Sequence, residues 1–270
     1  MRNRVKIVLI TGGSSGIGAA TAKLLASEGM TVYAASRRGT IDGQADGVIP
    51  VKMDVNDEAS TREVVERIIG EQGRLDAVIC NAGNGIFGPV EGTTEEEARY
   101  QFETCYFGSL KTIQAALPVM RSQGFGRIIT ITSVMAILQL PFQGFYSSVK
   151  AALLSLSESL SMELKGTGIE CCSILPGDVA TGFTSARKFN ASVTEASPYW
   201  DWMQRNKAKI EHDELSGMKP EVIGKAVLRQ LKKRHMSVRV IPRIDYWAVG
   251  LLVRILPERA KLSLLKALYS

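Results

Sequence analysis

VKIVLITGGSSGIG, residues 5–18, decides how the chain is read. The apolar run at 5–10 has the length of a buried strand, and it stops at Thr11-Gly12-Gly13-Ser14-Ser15-Gly16-Ile17-Gly18. Residues 19–29 then have helical composition and end on a glycine stop. A strand, a glycine turn and a helix N-terminus make an anion site, because free backbone N–H groups and the helix dipole point at whatever sits there. The glycines permit the tight turn and let a pyrophosphate approach the backbone.

Residues 31–36 predict a second strand, which runs into Arg37-Arg38. In dinucleotide-binding folds a carboxylate about 20 residues past the glycines holds the adenosine ribose 2′-hydroxyl. Ser36 stands at that point here, and no acid follows until Asp42. Two guanidiniums without a carboxylate suit a 2′-phosphate, so the pair favours NADP(H), while NAD(H) stays open. A third strand at 48–53 ends at Asp54-Val55, and Asp57 caps a helix running to about Gln72. Asp54 is placed either to meet an adenine amino group or to hold its own turn. A fourth strand at 75–80 leads into the small-residue turn Asn81-Ala82-Gly83. Strands alternating with helices imply a parallel sheet, whose ligands bind at the carboxyl ends.

Residues 94–123 predict one long helix, acidic at its start, with Pro118 as a local distortion late in it. A fifth strand at 126–132 delivers Ser133 to the same edge as the glycine turn. If the chain is helical from Gln143, Tyr146 and Lys150 are i and i+4 and share one face. A free phenol titrates near pH 10, so half-ionising it at pH 7 needs about 4 kcal/mol. One cation at about 4 Å in an effective dielectric of about 20 supplies roughly that much. Lys150 is therefore expected to make Tyr146 a working acid or base at neutral pH. The stripe Ala152, Leu153, Leu156, Leu160, Leu164 reads as core or oligomer interface.

A sixth strand at 169–175 is followed by Pro176-Gly177-Asp178-Val179-Ala180-Thr181, whose N–H and C=O groups suit an amide-bearing ligand. Residues 182–217 read as an irregular lid over an apolar substrate, with Phe183, Phe189, Tyr199, Trp200, Trp202 and Met203. Pro220 opens a helix to about Arg234, and 238–241 is a last strand. No repeat or linker interrupts the chain, so residues 1–270 are expected to form one domain.

With 45% hydrophobic and 22% charged residues in 270, the composition is that of a globular protein able to bury a large core. The opening MRNRVKIVLI is interrupted by Lys6 and is read as a strand rather than a signal peptide. Cys80, Cys105, Cys171 and Cys172 form no CxxC pair, which points to buried reduced thiols in a cytoplasmic protein. His212 and His235 lie near no cysteine pair, so no metal site is expected. The net charge of +6 is uneven: residues 219–270 hold 12 Lys+Arg against Glu221, Asp245 and Glu258. Those cations follow an apolar helical tail and are not interleaved with exposed aromatics, which argues against nucleic acid as a partner.

Taken together, these motifs resemble the short-chain dehydrogenase/reductase family over about residues 5–181. TGGSSGIG is similar to its TGxxxGxG turn and Asn81-Ala82-Gly83 to its NAG motif. Ser133 stands 13 residues before Tyr146, as in the family, and PGDVAT at 176–181 is similar to the turn that contacts nicotinamide. The resemblance implies a Rossmann-type, doubly wound α/β fold and hydride transfer between NADP(H) and an alcohol or carbonyl. It implies that Ser133 binds the substrate oxygen and that Tyr146 moves the proton. Lys150 would depress the tyrosine pKa and hold the nicotinamide ribose. Thr11, Gly12, Ser14, Ser15, Gly16, Ile17, Gly18, Arg37, Arg38, Asp54, Val55, Asn81, Ala82, Gly83, Pro176, Gly177, Val179 and Thr181 would join Tyr146 and Lys150 around the cofactor.

One position departs from that pattern. Cys105 stands where the family has an asparagine that holds a relay water behind the lysine, and no asparagine occurs between Asn84 and Asn190. A thiol is a poor hydrogen-bonding group. The tail at 242–270 resembles those of family members acting on steroids, retinoids and lipid-like alcohols. Its apolar helices, flanked by Arg243, Arg254, Arg259, Lys261 and Lys266, suit three roles: closing a greasy pocket, packing on a second subunit of a homodimer or homotetramer, or lying on an anionic membrane. The expected activity is interconversion of a hydrophobic secondary alcohol and ketone, such as a hydroxysteroid or long-chain lipid. A catalytically weak nucleotide-binding sensor or scaffold of the same fold is the alternative, and a nucleotide-sugar epimerase a more distant one.

Overall fold

The computed structural model describes residues 5–43, 45–247, 250 and 256–269. Seven strands form one parallel sheet: β1 (Ile7–Thr11), β2 (Thr31–Ser36), β3 (Val48–Lys52), β4 (Ala77–Cys80), β6 (Gly126–Ile131), β7 (Ile169–Ile174) and β9 (Arg239–Val240). Their order is β3-β2-β1-β4-β6-β7-β9. A two-stranded parallel sheet of β5 (Ile86–Phe87) and β8 (Lys188–Phe189) lies outside it.

Alternation along the strands builds two cores, because successive side chains point to opposite faces of a sheet. Val8, Ile10, Val32 and Ala34 join Leu25 of α1 (Gly16–Ser27) and Ile223, Val227 and Leu231 of α8 (Pro220–Lys232) on one face. Leu9, Tyr33 and Val78 join Val64 and Ile68 of α2 (Glu58–Gln72), Ile113 and Met120 of α4 (Gly108–Gln123) and Leu160 of α5 (Gly144–Glu163) on the other. Both faces are covered, as a parallel sheet requires. This is the single-domain, doubly wound α/β fold that the alternation of elements implied.

The register fixes the working edge. Ile10 pairs with Ala34 and Ile79, Ile79 with Ile129, and Ile131 with Ile174. The segments that leave β1, β4, β6 and β7 therefore emerge side by side. Strand order reverses between β1 and β4, where a ligand crevice is expected.

Two expectations need correction. The helical stretch predicted over 94–123 runs without a break from Glu95 to Gln123, but its distortion is not at Pro118: α3 (Glu95–Phe102), opened by a Thr94–Glu97 capping box, passes through a wider i→i+5 turn at Glu103–Phe107 into α4. Pro118 lies inside α4 without ending it. Residues 182–217 are not irregular: they contain α6 (Phe183–Ala186), β8 and the four-turn helix α7 (Trp200–Leu215). Of the aromatics read as lid residues, Tyr199, Trp200 and Trp202 pack half-buried around Met203 and Ile210 of α7, while Phe189 stays exposed. In the tail, α9 (Glu258–Leu268) is the second amphipathic helix; Arg254 and most of the preceding apolar stretch lie outside the described residues.

Candidate active site

One cavity of about 770 Å³ runs along the carboxyl edge. At its β1 end Gly12 and Gly16 take left-handed backbone, φ 65° and 53°. A Cβ on Gly12 would stand 2.9 Å from Ala82 Cα, and one on Gly18 only 2.1 Å from Gly12 O. Thr11 and Gly18 are behind the cavity wall. Thr11 Oγ1 accepts the N–H groups of Asn81 and Ala82, both at 3.0 Å, while Asn81 Nδ2 donates to Thr11 O at 3.0 Å and Gly12 O at 3.2 Å. The two turns are thus stitched together, and Gly12, Ser14, Ser15, Gly16, Ile17, Asn81, Ala82 and Gly83 face the cavity. Ser15 caps α1 without a side-chain bond, and the first turn carries no acid. A narrow backbone wall with free helix N–H groups fits a dinucleotide pyrophosphate.

Arg37 and Arg38 are exposed at the cavity rim. Arg38 pairs with Asp42 at 3.2 Å, and Asp42 N donates to Ser14 O at 2.8 Å, so the acid passed over in the sequence stands beside the glycine turn with its charge engaged. Asp54 Oδ1 accepts Asn56 N–H at 3.0 Å, holding its own turn while lining the cavity with Val55. Thr181 faces Gly16, 3.4 Å from where its Cβ would be, and closes this end from the β7 side.

At the other end β6 delivers Ser133, whose Oγ accepts Met135 N–H at 3.1 Å and donates to Pro176 O at 3.5 Å. Tyr146 and Lys150 sit one turn apart on α5, with Nζ 5.7 Å from the tyrosine ring centre. Lys150 is 5% exposed, and its ammonium donates to Ile131 O at 3.0 Å. Burial pushes the Lys150 pKa below the usual lysine range. Burial pushes the Tyr146 phenol well above its ordinary value, with Cys105 adding to the rise and the Ser133 hydroxyl opposing it. The expected depression by Lys150 is not found here, because desolvation of the phenolate dominates. Ser133, Tyr146 and Lys150 nevertheless meet at one wall, with Pro176, Gly177 and Val179 across from them.

Cys105 sits in the wide turn between α3 and α4 and is fully buried. Asn84 N donates to its sulfur at 3.4 Å, and the thiol faces Asn84 O and Oδ1 at 3.6 and 3.7 Å.

Leu138, Leu140, Phe183, Ile210 and Leu265 give the cavity an apolar wall, beside which Asp213 and Glu214 of α7 also line it. Phe183 packs against Tyr146 at 5.8 Å between ring centres. Arg187 and Glu214 form a buried ion pair behind Phe183. Leu265 is buried, and Tyr269 O accepts Trp202 Nε1 and Asn206 Nδ2, both at 3.0 Å, so the described part of the tail closes this wall. Ile244 and Trp247 point outward.

Gln143 escaped the sequence reading. Phe142, with φ 60°, turns the chain sharply before α5 and is held by Phe87 at 5.7 Å and Trp202 at 4.8 Å. That turn sets Gln143 three residues before Tyr146, 3% exposed, lining the cavity, its amide bonded to no described residue. Only the left-handed Phe142 reveals it, and no sequence pattern marks that.

The short chain dehydrogenase family model matches residues 6–191. The chain belongs to the short-chain dehydrogenase/reductase family. It is 38% identical over 259 residues to a 3-ketodihydrosphingosine reductase of Bacteroides thetaiotaomicron, covering 95% of this chain and 92% of that one. A short-chain dehydrogenase structure from Streptomyces avermitilis superposes with a TM-score of 0.80 at 28% identity, covering 99% of this chain and 98% of that one. A family member from Burkholderia phymatum in complex with NAD superposes with a TM-score of 0.79 at 22% identity, over 93% and 94% of the two chains, and supports the fold alone. This family member is accordingly an oxidoreductase of the class that uses NAD(P) and acts on CH–OH groups.

Proposed function

We propose that the enzyme interconverts a long-chain, lipid-like secondary alcohol and its ketone, with NADP(H) as the preferred cofactor. The observation that carries this reading is the junction of Ser133, Tyr146 and Lys150 with an apolar wall that includes Phe183, Ile210 and Leu265. Such a wall gains about 25 cal/mol for each Å² of apolar substrate surface it removes from water. The similarity to a 3-ketodihydrosphingosine reductase points the same way, towards a ketone on a long alkyl chain. Bound, the dinucleotide supplies or receives the hydride. Ser133 Oγ holds the carbonyl oxygen, and Tyr146 Oη gives it the proton. Lys150 holds the nicotinamide ribose, and its charge favours the tyrosinate left behind. Arg37 and Arg38 at the rim support a 2′-phosphate, Arg37 having no carboxylate partner among the described residues.

Gln143 refines the substrate class. A buried amide with free donor and acceptor beside the reacting centre suits a hydroxyl or amino group on the carbon next to the carbonyl. The test is a panel of 3-ketosphinganine, a plain long-chain ketone, a ketosteroid and a retinal, each with NADPH and NADH. Turnover greatest on 3-ketosphinganine with NADPH is expected. Greater turnover on the ketosteroid, or with NADH, would overturn the corresponding half of the reading. The sensor alternative draws on Cys105 and requires nucleotide binding without turnover on any ketone.

A further inference from the structure

We infer that Tyr246, in the C-terminal segment, is a positioning residue that holds the nicotinamide-facing turn of Pro176, Gly177, Asp178 and Val179 in its working shape. The inference rests on the nucleotide-binding reading above and adds to it a residue far outside the matched stretch.

The Tyr246 ring occupies the space over Gly177. A Cβ there would fall 2.3 to 2.6 Å from three of its ring carbons, so the absence of a side chain at position 177 is required by the tyrosine. Its hydroxyl is used twice on the next residue, donating to Asp178 Oδ2 and accepting Asp178 N–H at 3.2 Å. The turn is otherwise tied from two sides. Val134 N donates to Pro176 O at 2.8 Å, and Met218 N donates to Asp178 O at 2.9 Å, with Ala180 N returning to Met218 O at 2.9 Å. Bonds from Asp178 and Ala180 to Met218 leave the intervening Val179 with its own N–H and C=O on the opposite side, as in any parallel bridge. That side is the cavity. Tyr246 supplies a third tie to the turn, distinct from those of Val134, just past β6, and of Met218, and its own side chain lines the same cavity. Its position comes from β9, which pairs with β7 through Ser173↔Arg239 and Ile174↔Val240, and from Arg243, whose guanidinium lies 5.4 Å from the ring centre.

The consequence is selective. Loosening this turn weakens binding of the nicotinamide half and leaves the adenosine half, on β1 and β2, untouched. Full-length Tyr246→Phe removes both hydroxyl bonds and keeps the ring over Gly177. NADPH and 2′-phospho-ADP-ribose, which lacks nicotinamide, are titrated calorimetrically against wild type and variant. The expected result is about a three- to tenfold loss of NADPH affinity, the worth of one or two hydrogen bonds, with the affinity for 2′-phospho-ADP-ribose changed less than twofold. Asp178→Ala is expected to reproduce the loss, and Asp178→Asn, which keeps an acceptor for the tyrosine, to restore most of it. Equal losses for both nucleotides, or no loss for either, would overturn the inference while leaving the functional reading intact. Failure of the wild type to bind NADPH or NADH would remove both.

Discussion

The Cys105 thiol and Asn84 grip each other at three points, with Asn84 N–H donating to the sulfur at 3.4 Å and the S–H facing Asn84 O and Oδ1. Gly83 separates this sulfur from the lysine: a Cβ there would stand 3.4 Å from Sγ and 3.8 Å from Lys150 Nζ. An asparagine at 105 brings a stronger donor and acceptor to the same spot. Cys105→Asn is expected to keep or raise kcat. A tenfold or greater drop, with the melting temperature unchanged, would assign the cysteine a role of its own.

Lys150 costs stability when charged. Its folded pKa is lowered by burial, so the unfolded chain binds the proton more tightly, and the penalty is full below the folded value. It fades as pH rises towards the unfolded lysine value of about 10.4. Lys150→Met is expected to abolish turnover yet melt above wild type at pH 7, by about 2–4 °C for each kcal/mol relieved. The gap should close by pH 10.5. A gap that widens with pH would contradict this sign.

For Gln143→Leu the expected signature is discrimination. The buried amide is free to bond a substituent beside the carbonyl, and losing such a bond costs about ten- to a hundredfold in kcat/KM. That loss should appear with 3-ketosphinganine and be absent with a plain long-chain ketone. Equal effects on both would show that Gln143 shapes the wall without reading the substrate.

Gly18→Ala tests the stitched turns. The added methyl would meet Gly12 O at 2.1 Å and Asn81 Nδ2 at 2.7 Å, neither of them a flexible side-chain end with room to yield. A stability loss of about 1–3 kcal/mol, with loss of measurable nucleotide binding, is expected from melting curves and calorimetry.

The strand–glycine–helix opening and the order of motifs determined the sheet because each motif sits where a strand ends, and periodicity locates strand ends well. The spacing of Tyr146 and Lys150 is weak by itself; with Ser133 it became legible only beside the glycine turn, Asn81-Ala82-Gly83 and the 176–181 turn, and all three residues line one cavity. The wide turn around Cys105 was not legible, since its contacts are with Asn84, 21 residues away, and Pro118 drew the expected distortion to the wrong place. Helix α7 was hidden because its aromatics resemble lid residues when their partners Phe87 and Phe142 are unknown. Gln143 and Tyr246 gain their meaning from contacts 55 to 70 residues away in sequence or from a backbone twist, neither of which leaves a periodic trace.

The four thiols give the unmodified chain two built-in clocks. Cys80, Cys171 and Cys172 lie on β4 and β7 beneath the helical layers, and burial holds their pKa values up, to about 12 for Cys80 and Cys172. A thiol reagent reaches them only when the sheet itself comes apart. Cys105, equally buried, lies outside the sheet in the wide turn against Asn84 and is expected to become reachable when that turn parts from it. The ratio of the two labelling rates therefore separates breathing at the catalytic wall from unfolding of the whole molecule, with no probe attached.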